Sequence, residues 1–368
     1  MVFYIKAVEI KSKIVKIKLF CIVLCLCVFM ACEKYEPVIS DEPVIPPTDQ
    51  PKEPQEPIST DGIINWNNEF IIVGDNNMAN IGSNDWNAVT YGNGRYVTVG
   101  DSNSAACSID GINWTATSGF NDLSGICYGN GKFIAVGTGG NVRYSDDGGG
   151  WSTVTIPGKT NLRAVCYENG KFVAVGENGV IAYSTDGSSW TAKKVGSNDW
   201  NSVCYGNGKF VAVENDGGVA YSTDGINWTA KNVGSNDWNS VCYGNGKFVA
   251  VENDGGVAYS TDGINWTAKK VGSNWWYGVC YGNEKFVVVG TDGDVAYSTD
   301  GISWTTTTIS NAPTIMAVCC GNGKFVAVGR IWNASGYYIR AIYYSTDGIN
   351  WTSKTMGRGE LYGICPVQ

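Results

Sequence analysis

Residues 196–231 read GSNDWNSVCYGNGKFVAVENDGGVAYSTDGINWTAK, and residues 234–269 repeat them letter for letter. Looser copies flank this pair, so a unit of about 38 residues recurs along the chain. Each unit holds four short apolar runs, in this copy Asn201–Tyr205, Phe210–Val213, Val219–Ser222 and Trp228–Lys231. The runs favour Val, Phe, Tyr, Trp and Thr, as strands do. Gly-Asn-Gly, Asn-Asp-Gly-Gly and Thr-Asp-Gly separate them, residues that accept positive φ or bond their own backbone. A period of this length built from strands implies a ring or stack of similar small sheets.

Both faces of each run are apolar or small, so each sheet needs a neighbour on either side. Four-stranded sheets packed face to face around an axis make a β-propeller, and the expected class is all-β. Inner strands are counted at Val89, Ile126, Val165, Val203, Val241, Val279, Val318 and Ile364. That count gives eight blades, with seven as the alternative. The last copy, Leu361-Tyr362-Gly363-Ile364-Cys365, stops without its other strands, and Phe70-Ile71-Ile72-Val73 matches a second strand. Pairing of these two fragments is expected to close the ring. A competing alignment makes Gly62-Ile63-Ile64-Asn65 an inner strand, in rivalry with the C-terminal one.

The turn between the third and fourth runs reads Ser-x-Asp-Gly-x-x-Trp, starting at Ser108, Ser145, Ser184, Ser222, Ser260, Ser298 and Ser345. It resembles the Asp-box, or bacterial neuraminidase repeat, of sialidase-like and related propellers, and is one residue shorter than the common form. The resemblance covers the chain from about residue 60 to its end. It implies a structural role: the carboxylate accepts backbone N–H groups of its own turn, and the aromatic packs between sheets. Asp110, Asp147, Asp186, Asp224, Asp262, Asp300 and Asp347 are accordingly expected to lock turns.

Composition agrees with many short strands: 48 Gly, 12% aromatic and only 16% charged residues. The chain has no His, which removes the commonest general base and zinc ligand. Residues 1–31 carry Lys6, Lys11, Lys13, Lys16 and Lys18 ahead of an apolar run, Leu19–Ala31, too short to span a bilayer as a helix. The run ends in Phe29-Met30-Ala31-Cys32, which resembles a bacterial lipobox apart from its first position. The resemblance implies cleavage before Cys32 and a lipid anchor on its thiol. Residues 32–59 form a Pro-rich, acidic tether, and 60–368 the propeller. The start Cys32-Glu33-Lys34-Tyr35-Glu36 resembles export signals of Bacteroidota surface lipoproteins, which places the expected protein in the outer membrane, lipid-anchored and facing outward. Without residues 1–31 the chain keeps 21 basic and 33 acidic residues, so nucleic acid is excluded as a partner on charge.

Seven cysteines share one repeat position: Cys127, Cys166, Cys204, Cys242, Cys280, Cys319 and Cys365, with Thr90 in the first unit. Equivalent positions on packed sheets lie about 10 Å apart, beyond disulfide reach. They are read as small buried fillers rather than as bridges or a metal ring.

In a propeller, the loops from outer to next inner strand and from second to third strand share one face, opposite the Asp-boxes. The first set carries Trp200, Asn201, Trp238, Asn239, Trp275, Trp276 and Tyr277. The second holds the one long insert, Arg330 to Arg340, with Trp332, Tyr337 and Tyr338. Flat aromatics beside amides and carboxylates suit a glycan, and these ten residues are the candidate ligand site. The competing reading is that the regularly spaced Trp residues cap the core between blades. Asp292 and Asp294 alone do not make a calcium loop, and no metal, cofactor or catalytic residue is assigned.

Three functions remain: a monomeric, non-catalytic surface module that binds a glycan or protein, a glycoside hydrolase, or an assembly scaffold. A sialidase-like site needs an arginine cluster, and the six Arg residues (Arg95, Arg143, Arg163, Arg330, Arg340, Arg358) lie outside that family's Arg-Ile-Pro motif. Paired carboxylates for another hydrolase stay open.

Overall fold

The computed structural model describes residues 58–366 apart from 61–62, 75–84, 102–103, 120, 311, 313 and 333–334. The leader, Cys32 and most of the tether lie outside the described residues. The described residues form eight antiparallel sheets of four strands. Seven blades are wound inside to outside: 86–118, 123–155, 162–194, 200–232, 238–270, 276–308 and 314–358, hereafter blades 1 to 7. Inner strands of successive blades touch all the way around, and the last returns to the first. The chain is therefore a closed eight-bladed β-propeller, and the seven-blade count is excluded.

Blade 8 joins the two ends. Leu361–Pro366 is its inner strand, followed outward by Phe70–Gly74, Ile63–Trp66 and Ile58–Thr60. Ile72 faces Ile364 on one side and Ile64 on the other. Ile63–Trp66 thus takes the third position and does not compete for the inner one. First and third strands both run antiparallel to the second, so an apolar run suits either place. The tight turn through Asn67 and Asn68, each at φ 55, returns the chain to Phe70 on the outer side. The C-terminal strand fills the inner side.

Each inner and second strand is buried on both faces. In blade 4, Trp200, Val203, Phe210, Ala212 and Ala220 pack on blade 3, whereas Cys204, Val211, Val213 and Val219 pack on blade 5. Large aromatics on one face thus meet β-branched and small residues on the next blade, which lets the facing sheets interdigitate. The cysteines occupy the small positions of this pattern, and none of the nine in the described residues forms a disulfide.

Candidate functional site

The Ser-x-Asp-Gly-x-x-Trp turns are built alike. In blade 4, Asp224 Oδ1 accepts the backbone N–H groups of Ile226 and Asn227, both at 2.8 Å. Asn227 Nδ2 donates to Asp224 Oδ2 at 2.8 Å, and the Ser222 hydroxyl donates to Oδ1 at 2.9 Å. The Gly225 N–H donates to Ser222 Oγ at 2.8 Å, with Gly225 at φ 70, and Trp228 Nε1 donates to the Gly225 carbonyl. Hydrogen bonding from Asn227, opposed by burial, holds the Asp224 carboxyl well below the usual carboxylate range. The same carboxylate bonds to the two following N–H groups recur at Asp110, Asp147, Asp186, Asp262, Asp300 and Asp347. These carboxylates are committed to their turns.

On the opposite face the expected ligand residues separate into three groups. Trp200, Trp238 and Trp276 are buried to 0–1% exposure and belong to the core between blades. Asn201 and Asn239 clasp neighbouring blades. Asn201 Nδ2 donates to Trp238 O at 2.8 Å and to Asn215 Oδ1, and Asn239 Nδ2 donates to Trp276 O at 2.7 Å and to Asn253 Oδ1. Two rings of the third group face solvent. Trp275 is 40% and Trp332 56% exposed, flanked by half-buried Tyr337 and Tyr338 and by buried Tyr277. A tryptophan at the first strand position must fill the inter-blade space, whereas Trp275, one residue earlier, lies on the loop.

This third group forms one aromatic and charged sector across blades 6, 7 and 8. Trp275 meets Tyr277 edge-on, and Trp332 meets Tyr338 edge-on at 4.7 Å between centroids. The Arg330 guanidinium lies 4.3 Å over the Tyr338 ring and pairs with Glu360, which also accepts from the Tyr362 hydroxyl at 3.0 Å. Arg358 lies 3.8 Å over Tyr337. Burial, with Asp292 adding and Arg330 opposing, pushes the Tyr277 hydroxyl up to about 12, so it stays a neutral donor.

A further pattern underlies the sector. Every blade carries a β-bulge near the start of its inner strand, at the second residue in seven blades (Asn87, Ser124, Arg163, Asn201, Asn239, Tyr277 and Tyr362) and at the third, Met316, in blade 7. The extra residue is unpaired in the ladder and re-aims its side chain. Blades 6 to 8 bring Tyr277, Met316 and Tyr362 into one apolar cluster. Blade 3 supplies a polar counterpart, Arg163, which donates to Asn201 at 2.6 Å and pairs with Glu177 and Asp199. The bulge leaves a faint signal in the sequence: one variable residue after a Trp, Leu or Ile.

No protein-family model matches the chain, and no curated protein matches it. Solved structures do. A computationally designed protein, Ika8, is 10% identical with a TM-score of 0.56, over 83% of this chain and 94% of its own. YCF48 bound to D1 peptide is 16% identical with a TM-score of 0.51, over 65% of this chain and 88% of its own. YCF48 from Cyanidioschyzon merolae is 12% identical with a TM-score of 0.52, over 76% and 95%. The shared feature is the β-propeller. At these identities the likeness shows the fold alone.

The propeller also has a cavity of about 480 Å³ on the face of the Ser-x-Asp-Gly turns, lined by Glu168, Tyr205, Tyr243, Tyr281 and Cys320 among others. Nothing along the sequence marks this cavity, because Tyr205, Tyr243 and Tyr281 occupy one repeat position.

Proposed function

We propose that the protein is a non-catalytic binding propeller that presents the sector around Trp275 and Trp332 to a protein segment. The observation that carries this is the exposure of these two indoles on one face, in a molecule whose other large apolar side chains are, with Ile109 as the exception, withdrawn from solvent among the described residues. Trp, Tyr and Arg dominate binding hot spots, and the sector consists of them. The propeller of YCF48 bound to D1 peptide supports the reading by analogy of fold only. The turn geometry at Asp224 and its six counterparts supports assignment to the Asp-box class of propellers. The Lys-rich, apolar leader ending at Cys32 supports a lipid-anchored protein on the outer membrane, with the Pro-rich segment as its tether.

A glycan is the second ligand class, favoured by the solvent-facing Trp275 ring next to exposed Asp292. Peptide and glycan arrays probed with the purified propeller separate the two. Binding that survives in Trp332→Ala and Trp275→Ala would refute the placement. A hydrolase draws on one contact, the hydrogen bond from Tyr362 to Glu360 beside Arg330. Turnover of aryl glycosides that disappears in Glu360→Gln would favour it over simple binding.

A further inference from the structure

The cavity on the face of the Ser-x-Asp-Gly turns breaks the eightfold pattern where chemistry is possible. At the end of each inner strand the repeat places a Tyr, and the Tyr ring of one blade lies over a Gly of the blade before it. A Cβ on Gly129, Gly206 or Gly244 would stand 2.0–2.1 Å from the ring of Tyr167, Tyr243 or Tyr281. Only glycine tolerates that approach. Blade 3 has Glu168 at the glycine position instead, and it shares the cavity lining with Tyr205 of blade 4, so a carboxylate enters the tyrosine row. On the far side, blades 7 and 8 carry Cys320 and Pro366 where the other blades have Tyr, and each again lies over a Gly, Gly282 and Gly321. Two missing phenols open the space, and one added carboxylate charges it.

Glu168 is half-buried, and burial raises its pKa with no cation offsetting it. Among the described residues no ammonium or guanidinium group pairs with it; the ion pairs lie elsewhere. The Tyr205 hydroxyl is pushed up first by its own burial and then by the Glu168 charge. A carboxylate held against tyrosine rings in a cavity of about 480 Å³ is within the usual size of a ligand pocket. Its complement is a cation that carries apolar bulk. Ring faces attract such a cation through their quadrupole, and the carboxylate supplies the counter-charge.

We propose that this tyrosine-lined cavity binds an organic cation, a protonated amine, guanidinium or quaternary ammonium group, with Glu168 as counter-ion and Tyr205, Tyr243 and Tyr281 as its aromatic wall. The site lies on the face opposite the Trp275 and Trp332 sector and does not depend on it.

The test titrates choline, N-acetyl-lysinamide and an acetylated Gly-Lys-Gly peptide into the folded propeller by calorimetry, with the uncharged choline isostere 3,3-dimethylbutanol as control. At least one cation should bind, and the isostere should not. Glu168→Gln keeps size and removes charge, and should weaken cation binding by about tenfold or more, as expected for loss of a charged contact. Glu168→Gly restores the repeat consensus, should fold at least as stably, and should lose binding as well. Peptide binding tighter than that of the free amine assigns a protein side chain as the source, and choline binding alone assigns a small molecule. Failure of all three cations at millimolar concentration would overturn the proposal. So would equal binding by Glu168→Gln, or by the isostere.

Discussion

Asp224→Ala offers the sharpest test of what the repeated turns do. The substitution strips the acceptor from two backbone N–H groups at 2.8 Å and from the Asn227 amide. A hydrogen bond to a charged acceptor contributes up to about 1.5–3 kcal/mol where water is excluded. Here Asn227 is exposed and Ile226 half-buried, so water re-solvates part of what is lost. The expected loss is therefore about 1–2 kcal/mol, similar to removal of a helix N-cap. For a domain of this size that lowers Tm by about 1.5–3 °C. Asp262 sits in an identical repeat with an identical set of bonds, which provides an internal control. Asp262→Ala should cost the same, and the double variant should cost the sum within about 0.5 kcal/mol, because the two turns share no partner. The pH dependence has a fixed sign. The folded pKa of Asp224 lies below its unfolded value, so its stabilisation is full above about pH 4 and is lost as pH falls through the folded pKa. The gap between wild type and Asp224→Ala, measured by calorimetric melts, should narrow toward pH 2. An unchanged Tm at pH 7, or a gap that widens in acid, would refute the turn-lock reasoning.

Trp200→Ala should destabilise by about 3–5 kcal/mol through a core cavity, whereas Trp332→Ala should leave Tm nearly unchanged and weaken ligand binding by about 1–3 kcal/mol; melts and titrations on the same preparations check both. Glu214 is buried to 8% exposure, and burial, with Asp216 and Asp199 nearby, pushes its pKa up to about 7. A folded pKa above the unfolded one near 4.5 means stability falls as pH rises between them. Glu214→Gln should thus gain about 1–3 kcal/mol at pH 8 and nothing at pH 4 in denaturant titrations. Labelled palmitate should enter the wild-type chain in cells and not Cys32→Ala; equal labelling would reject the lipid anchor.

The sequence by itself determined the blade. A near-perfect repeat shows four apolar runs with turn residues between them, and apolar character on both faces leaves a sheet nowhere to go but between two others. It also marked every Ser-x-Asp-Gly turn, because those bonds are made within a few residues of the carboxylate. Blade 8 was legible only in part. Ile63–Trp66 has a composition that fits a first or a third strand, and the choice was decided by the C-terminal strand arriving from some 300 residues away. The candidate site was the least legible. Trp275 and Trp276 are neighbours of one residue type, yet one is 40% exposed and the other buried, because the inter-blade space begins at the first strand position. Along the sequence Glu168 is one changed letter where blades 1, 2 and 4 to 7 have Gly. Its consequence comes from Tyr205, Tyr243 and Tyr281 on other blades, which share a cavity lining with it only when the ring is closed. Local hydrogen bonding and periodicity are written along the chain, whereas exposure and cavities depend on what neighbouring blades leave unfilled, and that is decided by the tertiary structure alone.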